Sequence, residues 1–261
     1  LTKTGYVRNF CRNACLYPLG KNHKKGGKEY CEFRAMIKKL NISADEYNQL
    51  KRAFQGGFTH ASAWKNGKIY KKVGSYDFTS SYPAVMLAER FPMSSAEKIE
   101  IKNEDDFYFN LRYYCCLFDI FFENLESISY TEHPLSVAKC RELKTYINDN
   151  GRLVCAETCL TTMTEQDFFT IQEFYKWTSI KIGNFRRYKK GYLPTEFIKA
   201  ILKLYEDKTV LKGIEGKEVE YLKSKEMLNS CYGMTVTDVC REEIIYKTEW
   251  SEEKPNVTES L

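Results

Sequence analysis

KIYKKVGSYDFTSSYPAVMLAERF, residues 68–91, is the stretch on which the fold turns. Its first half, KIYKKVGSYDF, has the alternation and the β-branched and aromatic content of a strand, with Gly67 marking a turn ahead of it. Its second half reads as a helix. Ser80 or Ser81 stands near the cap, and Pro83 falls in the first turn, where a missing N–H is tolerated. Asp77 is therefore expected at a strand-to-helix switch, held by rigid elements on both sides.

Working outward, residues 1–50 read as a basic, glycine-containing lead-in followed by a helix. Ser43 with Glu46 three residues later has the capping-box pattern, and the helix is expected to run into Phe54. It stops at FQGGFTHAS, residues 54–62, where Gly56 and Gly57 allow backbone angles that other residues avoid. Residues 92–190 read as an α+β segment: strands around 111–121, 134–140 and 152–156, then a helix begun by Thr164 with Asp167 behind it. Pro194 and Thr195 open a long amphipathic helix, EFIKAILKLYEDKTVLK. Gly213 and Gly216 interrupt it before a second helix, KEVEYLKSKEMLNS, so the two are expected to fold back antiparallel. The fold class is α+β.

The chain has 261 residues, 43% hydrophobic and 15% aromatic, which is ample for a packed core. It begins with Leu1 and ends in SEEKPNVTESL, so both ends are expected to be cuts in a longer protein. No apolar stretch approaches the roughly 20 residues of a membrane span, and the N-terminus has no secretory-signal zones. No membrane partner is expected, and the cytoplasm is the expected compartment. The ten cysteines are too irregular for a disulfide scaffold and read as small buried hydrophobes. Cys11, Cys15, His23 and Cys31 supply four zinc-type donors in a spacing that matches no common zinc module, so thiols and zinc ligands both stay open. The net charge is +5, concentrated at 21–28, 68–72 and RRYKK 186–190, each of which reads either as a phosphate-neutralising patch or as a solvated surface.

The second helix puts Lys225 and Asn229 four residues apart and hence on one face, with Ser230, Tyr232 and Gly233 following at its end. An ammonium group on a helix and a carboxylate at a strand end are what a triphosphate with a divalent ion requires.

DFTSSYPAVM, residues 77–86, resembles the first conserved block of family B DNA polymerases, Asp-x-x-Ser-x-Tyr-Pro. KSKEMLNSCYG, residues 223–233, resembles their second, Lys-x-x-x-Asn-Ser-x-Tyr-Gly, and FQGGFT ahead of both resembles the Tyr-x-Gly-Gly loop between exonuclease and polymerase domains. The span between the blocks resembles the first terminal-protein-region insertion of the protein-primed phage and linear-plasmid enzymes. The resemblance implies a partial right-hand polymerase. Residues 1–53 would be a lead-in, 54–91 part of the palm, 92–190 the insertion, 191–236 the two-helix fingers, and 237–261 a truncated return to the palm.

It also implies roles. Asp77 would be catalytic and, with the carbonyl of Phe78, would ligate magnesium: two ions in the complete enzyme, with manganese able to substitute. Phe78, Ser80, Ser81, Tyr82, Lys225 and Asn229 would meet the incoming dNTP, Tyr82 lying under the sugar and rejecting a 2′-hydroxyl. A second cation would come from Lys208 or Lys212; the break between the helices leaves the register open, and Lys212 is the one carried into the site. Phe54, Gly56, Gly57, Ser230, Tyr232 and Gly233 would contact DNA. The implied partners are template-primer DNA, dNTPs and a terminal protein as primer.

Two departures stand out. Phe54 replaces the loop's usual tyrosine, and the third block, Asp-Thr-Asp on a hairpin, is missing from the 261 residues. The chain by itself is therefore expected to be inactive. A non-catalytic DNA- or nucleotide-binding module, and an interaction domain that uses residues 92–190, are the competing readings.

Overall fold

A computed structural model of the chain describes residues 2–17, 26–61 and 65–236, without the side chain of Glu29. Elements in the first part are α1 (Lys3–Leu16), α2 (Lys28–Lys39), α3 (Ala44–Ala53), α4 (Ser81–Ala88), β1 (Phe91–Pro92) and β2 (Glu97–Lys98). There follow α5 (Glu104–Tyr113), β3 (Tyr114–Ser127), β4 (Cys140–Asp149), β5 (Arg152–Thr164), α6 (Glu165–Phe174), β6 (Tyr175–Lys176), β7 (Ser179–Gly191), α7 (Thr195–Leu211) and α8 (Glu218–Thr235). They form two compact units, one of Ile37–Asp77 and Arg90–Tyr192, the other of Leu1–Met36, Phe78–Glu89 and Leu193–Leu261.

The first unit is built on an antiparallel sheet in the order β1-β7-β3-β5-β4, with β2 paired to β7 and β6 to β3. β3 is buried along most of its length because both faces are covered, the pattern of a two-sided core strand. Phe118, Ile120 and Phe122 point to one face and pack with Phe107 and Leu111 of α5 and Phe168 and Ile171 of α6. Asn103 caps α5, and Thr164 and Asp167 close a reciprocal capping box on α6. Cys115 and Leu117 point to the other face and meet Ala53 of α3.

The rest of the α3 contact is polar. The buried Arg186 side chain donates to Gln49 and Asp45, and Tyr188 donates to Glu46 at 2.9 Å. Asp119 accepts from Thr162 at 2.5 Å, Asn184 at 2.7 Å and Arg141 at 3.3 Å. A layer of this kind orients α3 because each buried polar atom must find its own partner.

The second unit is helical. Val7 and Cys11 of α1, Met86 of α4, Ala200, Ile201 and Leu204 of α7, and Leu228 and Cys231 of α8 form its core.

Several expectations from sequence need correction. Residues 68–77 form no strand: Ile69, Val73 and Tyr76 are 94, 77 and 96% exposed, and a strand pattern needs a ladder partner that the described residues do not supply. Residues 134–140 are a loop with one bridge at Ser136 and a 3₁₀ turn, and the strand starts only at Cys140. The lead-in holds two helices, α1 and α2. Ser43 caps α3 by accepting from Glu46 N at 3.2 Å, but the Glu46 carboxylate turns inward to Tyr188. α8 runs through Ser230, Tyr232 and Gly233 to Thr235, so Tyr232 and Gly233 lie within the helix and not beyond its end. The expected return to the palm, residues 237–261, and His23 lie outside the described residues.

Candidate functional site

On α7 the buried positions Ala200, Ile201 and Leu204 form an apolar stripe, and the next position on it, four residues past Leu204, is Lys208. The half-buried ammonium is thereby aimed along the helical core, and its Nζ donates to Ser80 Oγ at 2.9 Å. Ser80 sits in the left-handed region, φ 53° and ψ 47°, and its side chain does not cap α4. A non-glycine residue held there costs of order 1–3 kcal/mol and persists where surrounding contacts fix it. Two residues on, the Tyr82 ring stacks on Tyr232 of α8, centroids 4.0 Å apart and planes 14° apart. The helical unit thus joins residues 80–82 of the first stretch to Lys208 of α7 and Tyr232 of the second.

Lys212 is not brought there. α7 ends at Leu211, Lys212 is its exposed C-cap, and Gly213 and Gly216, at φ 78° and 76°, take the chain away through a turn that favours glycine. Lys225 and Asn229 are exposed on α8, one helical turn apart. Ser230 Oγ donates to Glu226 O at 2.8 Å within the helix. Ser81 is the first residue of α4 and is exposed, and Phe78 is 86% exposed.

Asp77 is the last residue of its segment in the sheet unit, and Phe78 is the first of its segment in the helical one. The Asp77 carboxylate is exposed. With the Phe78 carbonyl it offers the hard oxygen donors that magnesium prefers, but a magnesium ion takes an octahedral shell. Among the described residues, no group of three or more His, Cys, Asp or Glu side chains is arranged to hold a metal. The donors present fit such an ion and would supply only part of its shell.

Phe54 is the C-cap of α3 and is half exposed; Gly56 and Gly57 follow, both exposed. Neither glycine has a positive φ, and a Cβ on either would meet nothing within 4 Å. Their effect is to leave the main chain uncovered, not to reach a special backbone angle.

Among the other candidates, RRYKK is largely consumed by structure. Arg186 is buried on α3, Arg187 pairs with Glu97 at 2.9 Å and Lys190 with Glu165 at 3.6 Å. Cys11 and Cys15 are buried in the helical unit. The neighbouring Cys231 thiol, then burial, push the Cys11 thiol up, and burial pushes Cys15 up to about 11, so both stay protonated. Cys31 is exposed.

A model of the family described as DNA polymerase type B, organellar and viral, matches residues 26–261. Among solved structures, phi29 DNA polymerase complexed with primer-template DNA and incoming nucleotide substrates matches with a TM-score of 0.61 and 19% identity, over 87% of this chain and 35% of that one. The binary complex of phi29 DNA polymerase with primer-template DNA matches with a TM-score of 0.59 and 21% identity, over 80% of this chain and 34% of that one. The chain spans about a third of the length of these structures and shares the fold of that part. A search of curated proteins gives no match.

Proposed function

Because the chain belongs to the organellar and viral type B DNA polymerases, we propose that it carries part of a nucleotidyl-transfer site that adds deoxynucleoside monophosphates from dNTPs to a primer hydroxyl on template DNA. The observation that carries this reading is the meeting of Ser80 and Tyr82 with Lys208 and Tyr232, residues more than a hundred positions apart in sequence.

In this reading Lys208 and Lys225 bind the triphosphate as point charges, and Ser80 and Ser81 donate hydroxyl hydrogen bonds to it. Tyr82, kept flat by Tyr232, lies under the sugar and excludes a 2′-hydroxyl. Asn229, Ser230, Tyr232 and Gly233 border the nascent base pair. Phe54, Gly56 and Gly57 approach the DNA backbone, the two glycines leaving main-chain N–H groups accessible. Divalent metal ions bound through Asp77 and the Phe78 carbonyl, with further ligands, would neutralise phosphate charge and activate the primer hydroxyl. Asp77 supplies one metal-binding carboxylate in this reading, and the second would come from the missing third block, so the 261 residues alone are expected to be inert in transfer. The layout of residues 92–190 supports use of a terminal-protein hydroxyl as the first primer.

The test is competition binding of dATP and ATP to the chain and to Tyr82→Val. The chain prefers dATP, and Tyr82→Val narrows that preference by about tenfold, roughly the worth of one steric contact. Equal binding of dATP and ATP by the unaltered chain refutes the deoxynucleotide reading.

A further inference from the structure

β4 and β5 are joined by Asn150 and Gly151, at φ 48° and 81°, with Asp149 facing Arg152 across the turn. Two consecutive residues with positive φ make the tight hairpin turn whose twist suits antiparallel strands, so this tip is stiff. It grips four consecutive residues directly after the Gly-Gly pair. The Arg152 guanidinium lies 4.8 Å from the centroid of the Phe58 ring, and its Nη2 donates to the Thr59 carbonyl at 3.1 Å. His60 Nε2 stands 3.2 Å from Asp149 Oδ2, with both side chains at least 95% buried. The Asn150 amide donates to the Ala61 carbonyl.

The grip is itself anchored. Arg152 Nη1 donates to the Pro134 carbonyl at 3.1 Å, and the buried His133 ring lies against the same Asp149 carboxylate at 4.0 Å. Ser127 Oγ donates to the Ser129 carbonyl at 2.9 Å, so His133 Nδ1, 3.0 Å away, donates to Ser127 and its orientation is fixed. Meanwhile Gln55, Gly56 and Phe58 line a cleft of about 430 Å³ together with Glu132 and Arg152. The loop therefore spans a gap instead of lying on a packed bed, tied at Phe54 by α3 and at 58–61 by the turn.

We propose that the turn Asp149–Arg152 is a clasp that sets the Gly-Gly loop in the conformation that receives DNA, with Asp149, Asn150 and Arg152 as positioning residues that need not touch DNA themselves. This rests on the reading above that Phe54, Gly56 and Gly57 contact DNA. Without the clasp, Gln55–Ala61 is a tether over a cleft, and DNA has to order it on binding.

The experiment uses the 261-residue chain with Arg152→Ala, Asn150→Ala, Asp149→Ala or Asp149→Asn. Hydrogen exchange of residues 55–61, melting temperature and affinity for a fluorescent primer-template duplex are read in parallel. Arg152→Ala and Asp149→Ala speed loop exchange at least about tenfold and weaken DNA binding at least about fivefold, with melting little changed. Asp149→Asn, which keeps a side-chain oxygen facing His60, retains most of both. Should Arg152→Ala fail to fold, Asn150→Ala, on the exposed tip, carries the test through the Ala61 contact. Unchanged loop exchange in the folded variants overturns the clasp. Gly57→Val separates the two readings. If it weakens DNA binding while loosened clasp variants do not, the positioning role is refuted; if it has no effect either, the DNA-contact reading of the loop is what has failed.

Discussion

Lys208→Ala, set against Lys212→Ala, is the substitution pair in which geometry and sequence reading part most clearly. Lys208 Nζ is half-buried and already donates to Ser80 Oγ at 2.9 Å, so a triphosphate over Ser80 meets it without the side chain having to be ordered anew. A charge-assisted hydrogen bond of this kind contributes about 1.5–3 kcal/mol, which is roughly ten- to a hundredfold in Kd. Lys212 is an exposed C-cap, and an exposed cation that is not preorganised contributes within about 0.5 kcal/mol, or roughly twofold. The assay is titration of the chain with a fluorescent dNTP in magnesium buffer, with Lys208→Arg as the charge-preserving control. The expected order is Lys208→Ala far weaker, Lys208→Arg intermediate, and Lys212→Ala near the unaltered chain. A larger loss from Lys212→Ala, or equal small losses from both, refutes the reasoning.

Phe168 is fully buried and stands 5.1 Å from Phe107 and 5.9 Å from Trp177, ring centre to ring centre. Phe168→Ala should destabilise the sheet unit by about 3–5 kcal/mol in urea unfolding, and a loss under about 1 kcal/mol would show that α6 does not close this core. Burial holds His133 below the ordinary imidazole range, with Asp149 on β4 pulling it up and His60 pushing it down. A histidine kept neutral in the fold contributes fully above its unfolded value, about 6.5, and its contribution falls as pH drops through that value toward the folded one. The urea midpoint should thus fall from pH 7.5 to pH 5, and less steeply in His133→Gln; identical slopes would contradict the assignment.

What sequence could reveal was local. The Thr164–Asp167 box, the Ser43 cap and the glycine break between α7 and α8 are short-range signals; the first two start α6 and α3 where expected, and the third separates the two helices. α1 is hard to see in the sequence because its buried face is built from Val7, Cys11, Cys15 and Leu16, where thiols hold a four-residue apolar spacing in place of aliphatic side chains. β7 was hidden because Arg186 and Tyr188 look like surface, and their burial depends on Gln49, Asp45 and Glu46, more than 130 residues earlier.

The opposite error occurred at 68–77, where strand-like residues have no neighbouring strand to pair with among the described residues. At the site, the two blocks were legible as motifs, but their meeting was not. Lys208 could have been preferred over Lys212 by following the stripe Ile201–Leu204–Lys208 to the helix end. Asn150–Gly151 is a strong hairpin signal, and it marks the turn that holds the Gly-Gly loop.

Magnesium-dependent primer extension by the full-length native protein, compared with its Asp77→Asn variant and with the 261-residue chain alone, bears most directly on the central claim. Extension by the full-length protein is expected, with loss to background in Asp77→Asn and none from the chain alone. Unimpaired extension by Asp77→Asn would contradict the metal-binding role of Asp77, and absence of extension by the folded polymerase on both DNA and protein primers would contradict nucleotidyl transfer itself.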